Sequence, residues 1–232
     1  MGWRRLASTC LTAGIAGVVL LQPKTASALQ LEIAARSGTS FSAGKVYDGL
    51  EDGGDSLKMT DFVRYQFPFR LDLGLRIVPE WSIGPYLEFD PSALGGDAKD
   101  ACGAFDAKCG AFGFRLGLQT HVHFRPRELV DPWIGAGIGL ESVASGFKAG
   151  STEITTAYAG AEYPFQGGID FRLIKKHLYL GPYLGFTVGS YGKVAERVCE
   201  SGDCPERDPE SIQNRATHYW TTFGAKLTVL VF

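Results

Sequence analysis

Residues 67–77 read Phe67-Pro68-Phe69-Arg70-Leu71-Asp72-Leu73-Gly74-Leu75-Arg76-Ile77. Every odd position is apolar, and the even positions hold Pro, Arg, Asp, Gly and Arg. Side chains alternate between the two faces of a β-strand, so this stretch has one wholly apolar face and one charged face. Its eleven residues match the roughly 9–11 that a tilted strand needs to cross a bilayer.

Working outward, the same alternation predicts seven further strands. Leu29 to Arg36 places Leu29, Leu31, Ile33 and Ala35 on one face. Trp81 to Phe89 and Ala111 to Phe124 repeat the pattern, as do Trp133 to Glu141, about Thr156 to Leu173, Leu178 to Tyr191, and His218 to Phe232. The second strand, the quoted one, extends back as far as Val63. A weak internal repeat links the third and seventh strands: Gly84-Pro85-Tyr86-Leu87 and Gly181-Pro182-Tyr183-Leu184.

The connections alternate in length. Val78 to Glu80, Arg125 to Pro132 and Ile174 to His177 are short, whereas segments near 37–62, 90–110, 144–156 and 192–217 are long and rich in Gly, Ser and acids. Short turns at one end and long loops at the other describe an all-β, eight-stranded antiparallel up-and-down transmembrane barrel. A soluble barrel or sandwich also alternates, with its apolar face turned inward. Strand length decides for the membrane, because ordinary strands average about 5–6 residues.

The N-terminus follows a secretory pattern: Arg4 and Arg5, an apolar run from Leu11 to Leu21, and Ala26-Ser27-Ala28 as a cleavage site. The run is about half the roughly 20 residues a spanning helix requires. Residues 1–28 are therefore expected to be a cleavable signal peptide and 29–232 the barrel. The chain has 23 Lys+Arg and 25 Asp+Glu. Cleavage would remove three bases and no acids, leaving 20 against 25 and a net charge of −5, which argues against a nucleic-acid partner. Four cysteines remain in two local pairs, Cys102 with Cys109 and Cys199 with Cys204. In an exported chain these suggest loop-stapling disulfides. The spacing of a zinc site is missing, and neither a metal nor a cofactor is expected.

If the apolar face meets lipid, the polar face lines the lumen. Parity gives it Glu32, Asp72, Glu88, Glu141, Glu162 and Asp170, against Arg64, Arg70, Arg76, Arg115, Arg172 and Lys226. A barrel of eight strands is just wide enough for its own side chains to fill, and buried charges must be paired. The even balance predicts a packed charge network instead of an open channel. His121 and His123 join the polar face. Glycines there (113, 117, 135, 137, 139, 181, 185 and 189) are expected to make room for larger fillers.

The alternating strands, the Gly-Pro-Tyr-Leu and Gly135-Ala136-Gly137-Ile138-Gly139 segments and the terminal Phe232 resemble the small outer-membrane β-barrel family around OmpA and OmpX. The resemblance covers residues 29–232 and implies the bacterial outer membrane, with lipid, lipopolysaccharide and the barrel assembly machinery as partners. In that family the last strand ends in Phe with apolar residues at alternate positions, the signal the assembly machinery reads. Here Phe232 is preceded on its own parity by Leu230, Thr228, Lys226 and Gly224, while Val231, Val229, Leu227, Ala225 and Phe223 form the apolar face. Barrels of this size include lipid A deacylases, which use a His and a Ser on the last strand. This strand offers His218-Tyr219-Trp220-Thr221-Thr222 without the Ser, and a nucleophile needs a base within hydrogen-bond reach. The expectation is a non-enzymatic barrel with a structural or surface-interaction role through its outer loops, whose ligand is unknown. A narrow ion or solute channel and a lipid A-modifying enzyme are the alternatives. Acids in the first long loop (Asp48, Glu51, Asp52, Asp55) and the last (Glu196, Glu200, Asp203, Glu206, Asp208, Glu210) would suit a hard divalent cation.

Overall fold

A computed structural model describes residues 29–49, 56–104, 107–174, 177–200, 204–205 and 208–231. The expected signal peptide and Phe232 lie outside the described residues. Eight long strands form the wall: β1 Gln30–Tyr47, β2 in two pieces (Val63–Gln66 and Phe69–Val78), β3 Trp81–Leu94, β4 Lys108–His123, β5 Val130–Ala149, β6 Thr152–Ile174, β7 Leu178–Glu200 and β8 His218–Val231. Each pairs antiparallel with the next. The ring closes where β8 pairs with β1 from Leu31↔Val231 to Gly44↔His218.

The side-chain parity settles which face meets what. Leu71 is 57 % exposed, while its neighbours Arg70 and Asp72 are 6 % and 3 % exposed. On all eight strands most apolar side chains point outward, and together they form a belt. A soluble barrel would have the reverse arrangement, since exposed apolar surface of this extent is unfavourable in water. Among the described residues no helix is long and apolar enough to cross a membrane; this chain crosses with strands.

The Pro79-Glu80 turn lies at the same end as both ends of the barrel sheet, because Gln30 pairs with Arg76 and Leu31 with Val231. At the opposite, outer end the structure corrects the expected loops. The segment 144–156 is not a loop: β5 and β6 continue as a paired ribbon from Ala144↔Ala157 to Ala149↔Thr152 and turn at Gly150-Ser151. Gly150 has φ +59°, a conformation that glycine adopts without steric cost. Likewise β1 runs on to Tyr47 and β7 to Glu200. Above the belt the apolar alternation fades because lipid no longer selects for it, but the ladder of backbone hydrogen bonds continues. From Ala195 to Glu200, β7 pairs with β6 on one side. Its other side has no strand partner among the described residues, since the two-residue strand Glu210–Ser211 pairs only with Val194 and Lys193.

Two short helices, α1 Met59–Phe62 and α2 Gly96–Ala104, sit at the outer end. α1 drops Met59 and Phe62 into the barrel mouth, where they join Val46, Val63, Val143, Tyr158, Tyr191 and Trp220 in a buried apolar cluster. Phe62 meets Tyr158 edge-on at 5.1 Å between ring centroids, a favoured aromatic geometry.

Candidate functional site

The lumen beneath that cluster is where most sequence-derived site residues converge. Near the inner end Arg76 Nε donates to Glu32 Oε2 at 2.6 Å, and Arg76 Nη2 lies 3.2 Å from His123 Nε2. The other nitrogen of His123 sits 2.7 Å from Asp131 Oδ2. Lys226 Nζ pairs with Asp170 Oδ2 at 2.7 Å and stands 3.9 Å over the Trp133 ring, whose Nε1 donates to Asp170 Oδ1 at 3.0 Å. One level up, Arg36 Nε meets Asp72 Oδ2 at 2.6 Å, and its guanidinium also reaches Gln166 and His121. Gln119 closes this layer, donating to Asp72 at 2.6 Å and accepting from Gln166 at 2.8 Å.

The outer layer is centred on Arg115. Its guanidinium contacts Glu88, Asp90 (3.1 Å), Glu141 (3.2 Å) and Glu162 (3.2 Å), and donates to Gln66 at 2.8 Å. Arg70 shares Glu88. Glu141 also accepts from Trp220 Nε1 at 2.7 Å and the Tyr191 hydroxyl at 3.0 Å, and lies 2.8 Å from His218 Nε2. The two aromatic donors belong to the apolar cluster, so Glu141 joins the two fillings of the barrel. Tyr86 crosses the lumen to donate to Glu162. It can do so because Gly117 and Gly139 lie beneath its ring: a Cβ at Gly139 would stand 2.1 Å from the Tyr86 hydroxyl.

Of the residues assigned to the lumen by parity, Glu32, Arg70, Asp72, Arg76, Glu88, Arg115, Glu141, Glu162, Asp170 and Lys226 are all buried there. Two are not. Arg172 is a half-buried rim residue whose Nη1 donates to the Arg127 carbonyl at 2.9 Å. Arg64 points out of the barrel, because the register shifts between Val63 and Tyr65 and a bulge swaps the faces of the residues beyond it. Sequence reasoning misses Arg36, Asp90 and Asp131. Arg36 shares the parity of Glu32 and Asp90 that of Glu88, a signal present in the alternation. Asp131 stands in a segment that reads as a turn.

These changes alter the charge balance. Among the described residues, the buried ionisable set has eight acids (Glu32, Asp72, Glu88, Asp90, Asp131, Glu141, Glu162, Asp170) and five bases (Arg36, Arg70, Arg76, Arg115, Lys226), with three histidines. The expected six-to-six balance becomes an acid-rich lumen. The surplus lies around Arg115, where Asp90 Oδ1 has no hydrogen-bond donor among the described residues.

His218 is fully buried against Glu141 and stacked on Tyr191 at 4.2 Å. No Ser or Thr hydroxyl among the described residues hydrogen-bonds to it. No metal-like cluster of His, Cys, Asp or Glu occurs among the described residues. The cysteines pair locally, with Sγ atoms 2.04 Å apart for Cys102–Cys109 and 2.12 Å for Cys199–Cys204. The first bond ties α2 to β4 and the second caps β7. In the acidic loops, Asp48 is held by Lys45 at 2.7 Å; Glu51, Asp52, Asp55, Asp203 and Glu206 lie outside the described residues.

No known protein-family profile matches the chain, and no curated protein matches it. Solved structures do. A major outer membrane protein from Thermus thermophilus aligns with a TM-score of 0.61 at 12% identity, covering 88% of this chain and 100% of that one. This is the fold of an outer-membrane β-barrel. Neisserial surface protein A (TM-score 0.48, 12% identity, covering 89% and 99% of the two chains) and the protease OmpT from Escherichia coli (0.38, 9%, 89% and 98%) are more distant likenesses. The expected architecture of eight antiparallel strands with an outward apolar belt therefore holds for the described chain.

Proposed function

We propose that this protein is an integral protein of the bacterial outer membrane whose barrel is a sealed scaffold, acting through the strands and loops it holds above the outer leaflet. The Arg115 cluster is the observation that carries this reading. One guanidinium on β4 is held by four carboxylates from β3, β5 and β6 and by Gln66 from β2, so side chains from five of the eight strands meet in the lumen. Above it α1 and its apolar neighbours close the mouth. A hydrated ion passing through would have to displace charge pairs that are costly to separate once buried.

The reading includes no catalytic step. Among the described residues His218 and Glu141 form a buried pair to which no Ser, Thr or Cys side chain hydrogen-bonds. The hydroxyl beside them is that of Tyr191, which donates to Glu141, and hydrolytic chemistry of the deacylase kind needs a nucleophile within reach of its base. The barrel assembly machinery is its partner during insertion, with the last strand as the segment recognised.

Planar-bilayer recording of the purified full chain tests the proposal. A silent bilayer at protein levels that give open porins discrete steps is the expected result. Reproducible single-channel steps would overturn the sealed-lumen reading. Cation selectivity in those steps would turn it towards a narrow channel lined by the surplus acids.

A further inference from the structure

The outer wall carries a groove of about 780 Å³ across β4 to β7, at the upper edge of the apolar belt. Its floor is made of small residues, Ala159, Gly160 and Ala161 on β6. Its sides include Leu140 and Tyr163, which face the lipid region. At its upper end stand Lys193 and Arg215, both exposed.

The placement of these two cations follows from a bulge. Tyr191 pairs with Gly160 and points into the barrel; Lys193 pairs with Ala159, the very next residue of β6. Gly192 is thus an extra residue in β7, and bulges of this kind re-aim the side chains that follow. Were Gly192 an ordinary paired residue of the ladder, Lys193 would share the inward parity of Tyr191. Because Gly192 is bulged out of the ladder, Lys193 stands on the outer face opposite Ala159. Gly192 also makes space for Arg215, whose Cζ lies 3.3 Å from where a Cβ at Gly192 would be. Among the described residues neither cation forms an ion pair. Two acids come near. Glu141 borders the groove, but its carboxylate is turned into the lumen, where Arg115, Trp220, Tyr191 and His218 hold it. Glu210 lies opposite Val194 and so alternates to the other face of its strand from Ser211.

We infer that this groove binds a phosphate-bearing lipid of the outer leaflet. An acyl chain lies on Ala159–Ala161 between Leu140 and Tyr163, and the head-group phosphate sits between Lys193 and Arg215. The order of chemistry along the groove is the order along such a lipid: apolar at membrane depth, cationic at the water edge. Lys and Arg are the side chains that hold phosphate by charge-assisted hydrogen bonds. The site is on the outside of the wall, so it stands whether or not the lumen conducts.

Native mass spectrometry of the full chain in neutral detergent tests the assignment, with diphosphoryl lipid A as the probe and phosphatidylcholine for comparison. Heat-modifiable gel migration verifies that each variant is folded. Wild type should retain lipid A at least about ten-fold better than phosphatidylcholine, the factor that about 1.4 kcal/mol of selective binding gives. The double variant Lys193→Ala/Arg215→Ala should lose that preference. Ala161→Phe, which fills the groove without altering charge, should lose it as well; should that variant not fold, Ser190→Leu fills the groove from the next strand. Arg125→Ala/Arg127→Ala, which removes the same charge at the inner end, should bind as wild type. Equal binding by the Lys193/Arg215 variant would overturn the site, and so would an equal loss in the Arg125/Arg127 variant. Full displacement of lipid A by millimolar inorganic phosphate would overturn the role given to the acyl chain. Lipid A retention that vanishes only where the protein dimerises would instead make this face an interface between copies.

Discussion

Between Glu32 and Glu141 the barrel interior is filled by charged and amide side chains held in place by one another, whereas above Trp220 the same interior is filled by Val46, Met59, Phe62, Val63 and Tyr158 with hardly a polar contact among them. The two fillings seal the same tube by opposite chemistry and fail differently. In the charged part every Arg and Lys is held by at least one carboxylate, so removing one partner strands a buried charge at a cost of about 3–5 kcal/mol. In the apolar part the loss is that of transfer and cavity, which grows with the size of the side chain removed and shrinks where neighbours can collapse. Glu141 couples the two, accepting from Arg115 below and from Trp220 and Tyr191 above.

The largest test of this contrast is Arg115→Met, which keeps volume and deletes the shared cation. We expect a loss of about 3–5 kcal/mol, read as a fall in the urea midpoint of the folded, heat-modifiable form in detergent or vesicles. A fall below about 1 kcal/mol, the scale of an exposed pair, would mean that the four carboxylates do not depend on this guanidinium. Next is Phe62→Ala in the apolar cluster, expected to lose about 3 kcal/mol, the lower end for a buried aromatic because the site lies near the open mouth. This variant should stay silent in planar bilayers, since the charged layers below it remain; steps from Phe62→Ala alone would show that the apolar cluster is the only seal. The smallest effect belongs to Arg172→Ala at the inner rim, where a change within about 0.5 kcal/mol is expected. A loss comparable to that of Arg115→Met would place Arg172 back among the buried pairs.

The parts that can be read in the sequence are those on which lipid and lumen impose opposite demands. From Phe69 to Ile77 each residue must suit either hydrocarbon or a paired polar interior, and strict alternation is the result. The lumen positions of Glu32, Asp72 and Glu162 can be counted off from it. Above the belt, residues such as Ser142, Ser145, Thr155 and Ala157 are neither apolar enough to mark an outward face nor charged enough to mark an inward one, yet they keep their ladder. That is why 144–156 reads as a loop and is a hairpin. Arg64 defeats parity because a bulge resets the count. The apolar cluster is illegible for another reason: Met59 and Phe62 reach the interior from a four-residue helix, too short to show any period. The cationic end of the outer groove depends on a second bulge, at Gly192.

The side of β7 from Ala195 to Glu200 that has no strand partner among the described residues has a consequence for encounters at the cell surface. β5 and β6 rise nine residues beyond the Leu140–Ala161 pair before turning, roughly 30 Å along the strand at about 3.3 Å per residue. An approaching molecule therefore meets the rim of a sheet before it meets the membrane. A rim whose backbone groups have no strand partner among the described residues has the form to which extended chains add as strands, the way exposed sheet edges recruit peptides. It is also a hazard, because the same groups could pair indiscriminately. Glu196, Arg197 and Glu200 stand along it, and charges on an edge are the usual means of turning away unspecific strands. A strand that joined this rim would have to answer those charges.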